Sequence, residues 1–227
     1  MNYFESGVMP FSWHPKNQTR LWSGTDSPEG LVKNPNKDFW NNVAISYKYN
    51  PQGFRTHNLA DYLGQTVDIA LGCSFTEGVA MPVEHIWPSL IEQTTGITML
   101  NMGLGGGATD TVARILTNIA PLFKINNAYI LWPKIDRFEI YNQHDIEHIM
   151  PMQSKMHHVW AMDDIHAKNR YVKNKHLVSL LAAKYNFSII ERDIDEFFYN
   201  QVDQARDHTH FGYQTNQNVA ESFLTTK

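Results

Sequence analysis

From residue 66 onward, short apolar runs alternate with longer stretches whose apolar positions recur at helical spacing. Residues 66–71, 97–101, 128–132 and 187–190 are dense in branched and aromatic side chains, which suits buried strands. The stretch 84–95 turns Ile86, Leu90 and Ile91 to one side, and Gly96 stops it. A helix capped by Thr109 or Asp110 is expected to run to about Phe123, with Val112, Ile115, Leu116 and Ile119 on one face. A longer one carries Leu177, Leu180, Leu181 and Ala182 between about Asn169 and Tyr185, and a last one runs from about Gln214 to Leu224. This alternation predicts an α/β protein with a parallel sheet between two helical layers, a three-layer α/β/α, flavodoxin-like arrangement. Ligands of such sheets bind beyond the carboxyl ends of the strands, so the loops after the first three strands should converge.

Two stretches carry neither period. Residues 1–58 are rich in Trp, Tyr, Phe, Asn and Pro, with Trp13, Trp22 and Trp40 spread along them. Within them, residues 45–49 alternate like an exposed strand, Asn50-Pro51-Gln52-Gly53 is turn chemistry, and residues 54–56 are expected to return as a second hairpin arm. So many aromatic rings are costly to leave in water. Residues 1–58 are therefore expected to be an irregular arm packed on a main domain of residues 59–227, or a contact for a homo-oligomer or an assembly partner. Residues 134–167, rich in His, Met, Asp and Glu, are expected to form a functional loop or a cap.

Length and charge narrow the picture. A chain of 227 residues accommodates one well-buried α/β domain but no second complete one. A net charge of −4, with 19 Lys and Arg scattered along the chain, argues against a nucleic-acid partner. The mild basic cluster at 168–175 reads as a solvated helix face. The single cysteine, Cys73, precludes an internal disulfide and reads as a small packing residue rather than a thiol nucleophile. No apolar run approaches the roughly 20 residues a membrane helix needs. Residues 1–6 lack the basic start and apolar core of a secretory signal. A soluble, cytoplasmic protein is expected, with packaging into a virion or other particle left open.

The candidate chemistry begins where the first strand stops, at Gly72-Cys73-Ser74. Small residues let the backbone turn there and deliver Ser74 to the sheet edge, at the positive end of any helical turn that follows. Read locally, Ser74 is a nucleophile or a helix N-cap. A serine hydroxyl needs a base to become nucleophilic. Asp207-His208-Thr209-His210, just before the last helix, offers His210 as that base, with Asp207 to orient its ring. Asp163-Asp164-Ile165-His166 has the same spacing and also precedes a helix, and His208 lies inside the first motif. Gly103-Leu104-Gly105-Gly106-Gly107, after the second strand, offers backbone N–H groups for an oxyanion. It lacks the Gly-Lys-Ser/Thr of a phosphate loop and the spacing of a dinucleotide site.

Together these blocks resemble the SGNH, or GDSL-like, hydrolases. Gly72-Cys73-Ser74-Phe75-Thr76 is similar to that family's Gly-Asp-Ser-x-Thr block, with Cys73 in place of the aspartate. The resemblance implies Ser74 as nucleophile and Asp207 with His210 as its partners, since the family's pair follows the last strand and leads into the C-terminal helix. It places the oxyanion hole at the N–H groups of Ser74 and Gly106, with Gly105 the near alternative. The family's third block, Gly-x-Asn-Asp, is replaced by Trp132-Pro133-Lys134-Ile135-Asp136-Arg137. Lys134 or Arg137 takes over the missing asparagine's place by reach, or the hole has two donors. The resemblance spans about residues 66–224 and implies a serine esterase that needs no cofactor and no metal, acting on a small acyl ester such as an acetylated carbohydrate. The alternative is a non-catalytic protein of this fold, whose arm docks on a partner in a large assembly.

Two further patterns carry less chemistry. His144 and His148 would share a helix face, but Asp145 stands where a His-Glu-x-x-His zinc motif needs glutamate, so a solvated helix face is expected. Met150, Met152, Met156 and Met162 read as adaptable packing.

Overall fold

The four apolar runs pair into one parallel sheet. The computed structural model of the chain describes residues 14–141, 146–149 and 164–225. An arm comes first: β1 (Thr19–Arg20), α1 (Pro28–Lys33), α2 (Lys37–Trp40) and β2 (Tyr47–Lys48). The main body follows with β3 (Thr66–Leu71), α3 (Ser74–Glu77), α4 (Trp87–Thr95), β4 (Met99–Asn101), α5 (Thr109–Ile119) and β5 (Lys124–Trp132). After these come β6 (Phe138–Tyr141), β7 (Ile146–Ile149), α6 (Asp164–Tyr185), β8 (Ser188–Asp193), α7 (Asp195–Phe198) and α8 (Tyr213–Leu224).

The sheet order is β4-β3-β5-β8, parallel throughout. Successive side chains of a strand point to opposite faces, and helices cover both. Val67, Ile69 and Leu71 of β3 lie in one cluster with Ile115 and Leu116 of α5 and Val178 of α6. Ala70, Tyr129 and Leu131 lie in the other with Trp87 of α4 and Val219 and Phe223 of α8. Full burial of each large side chain contributes roughly 1.5–3 kcal/mol, so these two clusters hold the three layers together. The expected α/β/α architecture is the one observed. Among the described residues, no helix is long and apolar enough to cross a membrane.

Boundaries differ from expectation where polar residues are structural. β5 starts at Lys124 rather than Ala128, because Asn126 and Asn127 bond Asp68 across a break in the β3–β5 register. The buried Asp68 Oδ1 accepts from Asn126 Nδ2 at 2.9 Å, Asn127 Nδ2 at 3.1 Å and Asn127 N at 2.9 Å. α6 begins at Asp164, ahead of the expected Asn169.

Two expectations are corrected. Residues 45–49 are not an exposed strand with residues 54–56 as partner. β2 pairs antiparallel with β1, and Ile45, Tyr47, Tyr49 and Phe54 are all buried. The turn closes on itself, as Asn50 Oδ1 accepts the N–H groups of Gln52 and Phe54 at 3.0 and 2.9 Å. The helix expected around His144 and His148 is replaced, over residues 146–149, by strand β7, antiparallel to β6. His144, Met150, Met152, Met156 and Met162 lie outside the described residues.

The arm is fastened to the loop that precedes α8. Arg206 grips Asp26 with two hydrogen bonds, Nε to Oδ1 at 2.8 Å and Nη2 to Oδ2 at 2.6 Å, both side chains buried. Tyr47 donates to the same carboxylate at 2.6 Å and accepts from Ala80 N–H at 2.7 Å. Asn34 Nδ2 donates to the carbonyls of Ala205 and Arg206 at 3.2 and 2.8 Å. Trp40 of the arm stacks on Tyr213 at the start of α8, ring centroids 5.7 Å apart.

Candidate active site

β3 ends in extended backbone at Cys73, and the single turn α3 begins at Ser74. Cys73 is fully buried, so its position is one of packing. Ser74 Oγ lies 2.7 Å from His210 Nε2, although 136 residues separate the two in sequence. His210 Nδ1 in turn lies 2.6 Å from Asp207 Oδ2. The loop builds this geometry locally, because Asp207 Oδ1 also accepts the N–H groups of Thr209 at 3.1 Å and His210 at 3.0 Å. The His210 ring packs against Phe75, centroids 4.4 Å apart, which limits its rotation.

Thr25 of the arm adds a fourth contact to the carboxylate, its hydroxyl donating to Asp207 Oδ2. Burial alone would push the Asp207 carboxyl up. The hydrogen bond and charge of His210, together with Thr25 and the loop N–H, overcome it and hold the group down at about 2. Asp207 is therefore an anion throughout the neutral range, able to orient the His210 ring and to stabilise its protonated form.

The other histidines with matching motifs are elsewhere. His208 is exposed with φ +58°, and His166 is exposed near the start of α6, while Asp163 lies outside the described residues.

On the other side of Ser74, the glycine loop after β4 passes close against α3. A Cβ at Gly103 would sit 2.3 Å from Glu77 N, so only glycine allows this approach. Asn101 joins the two segments, donating to Thr76 O at 2.8 Å and accepting from Gly103 N at 2.9 Å. Gly105 N donates to Glu77 Oε2 at 2.7 Å, which removes the near alternative from the list of free donors. Gly106 follows at φ +75°, left-handed backbone that favours glycine. Among the described residues, the N–H groups of Ser74 and Gly106 donate to no acceptor. Both residues line the same cavity as Ser74 Oγ and His210.

The arm reaches this side too. Tyr49 donates to Glu77 Oε1 at 2.6 Å, and the Ser23 hydroxyl lies 2.8 Å from the Tyr49 oxygen. Burial and the Glu77 charge push the Tyr49 hydroxyl well above its ordinary value, so it stays a donor. Glu77 is 2 % exposed with both oxygens engaged.

The cavity has a volume of about 530 Å³. Phe75, Val79, Ile194 and Phe198 provide apolar wall, and Arg20, Lys134 and Arg137 bring positive charge. No asparagine side chain lines it among the described residues, and Pro133-Lys134 follows β5 where the third block would lie. A larger cavity of about 710 Å³ lies between α5, β6 and α6, away from Ser74 and His210.

Thr25, Tyr49 and Glu77 were not anticipated from sequence. Glu77 had a signal, a charged residue within the very turn that Ser74 opens. Thr25 and Tyr49 had none, since they sit in an arm without periodicity.

No protein-family model matches the chain, and no curated protein matches it. Similar solved structures include lipolytic proteins of the G-D-S-L family. One from Veillonella parvula is 14% identical, covering 71% of this chain and 97% of its own, with a TM-score of 0.39. Another, from Desulfitobacterium hafniense, is 15% identical over 69% of this chain and 96% of its own, with a TM-score of 0.33. An alpha/beta hydrolase from the metagenome of Lake Arreo is 15% identical over 72% of this chain and 94% of its own, with a TM-score of 0.37.

Proposed function

We propose that the chain is a serine esterase of SGNH type, hydrolysing a small acyl ester such as an acetyl group on a carbohydrate. His210 Nε2 takes the Ser74 proton as Oγ forms a bond to the ester carbonyl carbon. The carbonyl oxygen becomes an oxyanion facing the N–H groups of Ser74 and Gly106, each worth about 3 kcal/mol in the barrier. As the carbon–alkoxide bond breaks, His210 returns its proton to the leaving alcohol. Water, deprotonated by His210, then adds to the acyl carbon, and as the acyl-serine bond breaks His210 gives that proton to Ser74 Oγ and the acid leaves.

The observation that carries this reading is the unbroken chain of contacts from Ser74 through His210 to Asp207 at 2.7 and 2.6 Å. The test is a screen of p-nitrophenyl acyl esters and acetylated sugars against wild type and Ser74→Ala. Ester cleavage by wild type and its loss in the variant are expected. No cleavage, together with no labelling of the folded protein by a fluorophosphonate, would favour the scaffold alternative.

A further inference from the structure

We infer that the cavity beside Ser74 selects an anionic ester, one carrying a carboxylate or phosphate that Arg137 and Lys134 hold. The inference rests on the esterase reading for its chemistry and on the charges of the cavity for its selectivity.

The chain as a whole is acidic, with a net charge of −4. The cavity reverses that balance. Its charged lining residues are Arg20, Lys134 and Arg137 against Glu77, and Glu77 is already occupied by Tyr49 and Gly105. Arg20, at an exposed position, gives two of its nitrogens to Gln18 Oε1 at 2.9 and 3.1 Å. Lys134 rests on aromatic faces, 3.8 Å from the Phe198 centroid and 5.0 Å from that of Tyr199, with the carboxylate of Asp195 at a distant 3.9 Å.

Arg137 lines the same cavity. Its Nη1 is buried and has no hydrogen-bond partner among the described residues. An unpaired buried charged donor is destabilising, and the residue that carries this one lines the cavity beside Ser74. The turn that presents it is held firmly. Arg170 Nη2 donates to the carbonyls of Ile135 at 2.8 Å and Arg137 at 3.0 Å, while Arg170 Nε lies 3.3 Å from Asp110 Oδ2. Backbone fixed by one arginine thus offers the guanidinium of another to the cavity. A guanidinium fork matches carboxylate and phosphate geometry, and Phe75, Val79, Ile194 and Phe198 supply apolar wall for the rest of the ligand.

The negative charge can belong to the acid or to the alcohol of the ester, and two substrate pairs separate these sources. Dimethyl glutarate against monomethyl glutarate tests the acid side. Acetylated methyl glucoside against acetylated methyl glucuronoside tests the alcohol side. In one pair the anion should exceed its neutral partner in kcat/KM by about tenfold, the scale of a single charge-assisted hydrogen bond. That ratio should shrink with added salt and fall towards one in Arg137→Gln and further with Lys134→Gln. Neutral members turned over as well as the anions in both pairs would overturn the inference and leave the esterase reading standing. The same four compounds titrated calorimetrically against Ser74→Ala give a readout independent of turnover. Tighter binding of an anion, weakened about tenfold in the background of Arg137→Gln, supports the inference even if wild type cleaves no ester. Equal binding within both pairs, or none, would overturn it.

Discussion

Ser74 stands between two buried carboxylates that are held in different ways. On the base side, Asp207 faces a histidine, a threonine hydroxyl and two N–H groups of its own loop. On the side of the proposed oxyanion hole, Glu77 faces a tyrosine hydroxyl and the Gly105 N–H. Asp207 meets a ring that gains and loses a proton in the proposed cycle, so its charge acts on the reaction directly. Glu77 meets neutral donors and acts through geometry, fixing the loop from which the next N–H, that of Gly106, is offered. The arm supplies one residue to each side, Thr25 to the first and Tyr49 to the second. A segment with no regular pattern of its own therefore sets the spacing of both halves of the site.

The largest effect is expected where the arm is fastened. Asp26→Ala leaves Arg206 charged, buried and unpaired, and should cost about 3–5 kcal/mol of stability by chemical denaturation. A loss below about 1 kcal/mol would mean that the arm is not held by this pair. The next largest effect belongs to the oxyanion side. Glu77→Gln should lower kcat for an acyl ester about a hundredfold with little change in KM, because the Gly105 contact weakens and the Gly106 donor drifts. Tyr49→Phe should follow in the same direction with a smaller loss, while an unaffected kcat in both would remove Glu77 from the account.

How much of this was readable in advance follows from sequence separation. The base side is nearly local: Asp207 and His210 are three residues apart, and a spacing motif captures them. The oxyanion side depends on Tyr49 reaching Glu77 across 28 residues, from a region whose burial no periodicity announces. The layered sheet was readable because β3 and β4 each carry a short apolar run, broken only by Asp68 and Asn101. The start of β5 was not, since Lys124, Asn126 and Asn127 read as loop until the bonds of Asp68 are seen. The β6–β7 hairpin was misread because two histidines four apart fit a helix face equally well as a pattern.

The pH response sharpens the contrast between the carboxylates. The Asp207 carboxyl is held at about 2 in the folded chain, below the roughly 3.9 of an unfolded aspartate. Its stabilising contribution, about 2 kcal/mol, is thus fully present above pH of about 4 and is lost as pH falls towards about 2. The stability difference between wild type and Asp207→Asn should narrow across that window, and a constant difference would contradict the assignment. The smallest effect is expected at Thr25. Thr25→Val should lower kcat/KM about tenfold, and Thr25→Ser, which keeps the hydroxyl, should restore most of it.

The proposed hydrolysis requires His210 to activate the Ser74 hydroxyl. Fluorophosphonate adducts mapped by fragmentation mass spectrometry, on wild type, His210→Ala and His166→Ala, measure this directly. The adduct is expected on Ser74 itself, forming at wild-type rate in His166→Ala and about a thousandfold more slowly, or more slowly still, in His210→Ala. An adduct on Cys73, or equal labelling rates with and without the His210 imidazole, would contradict it.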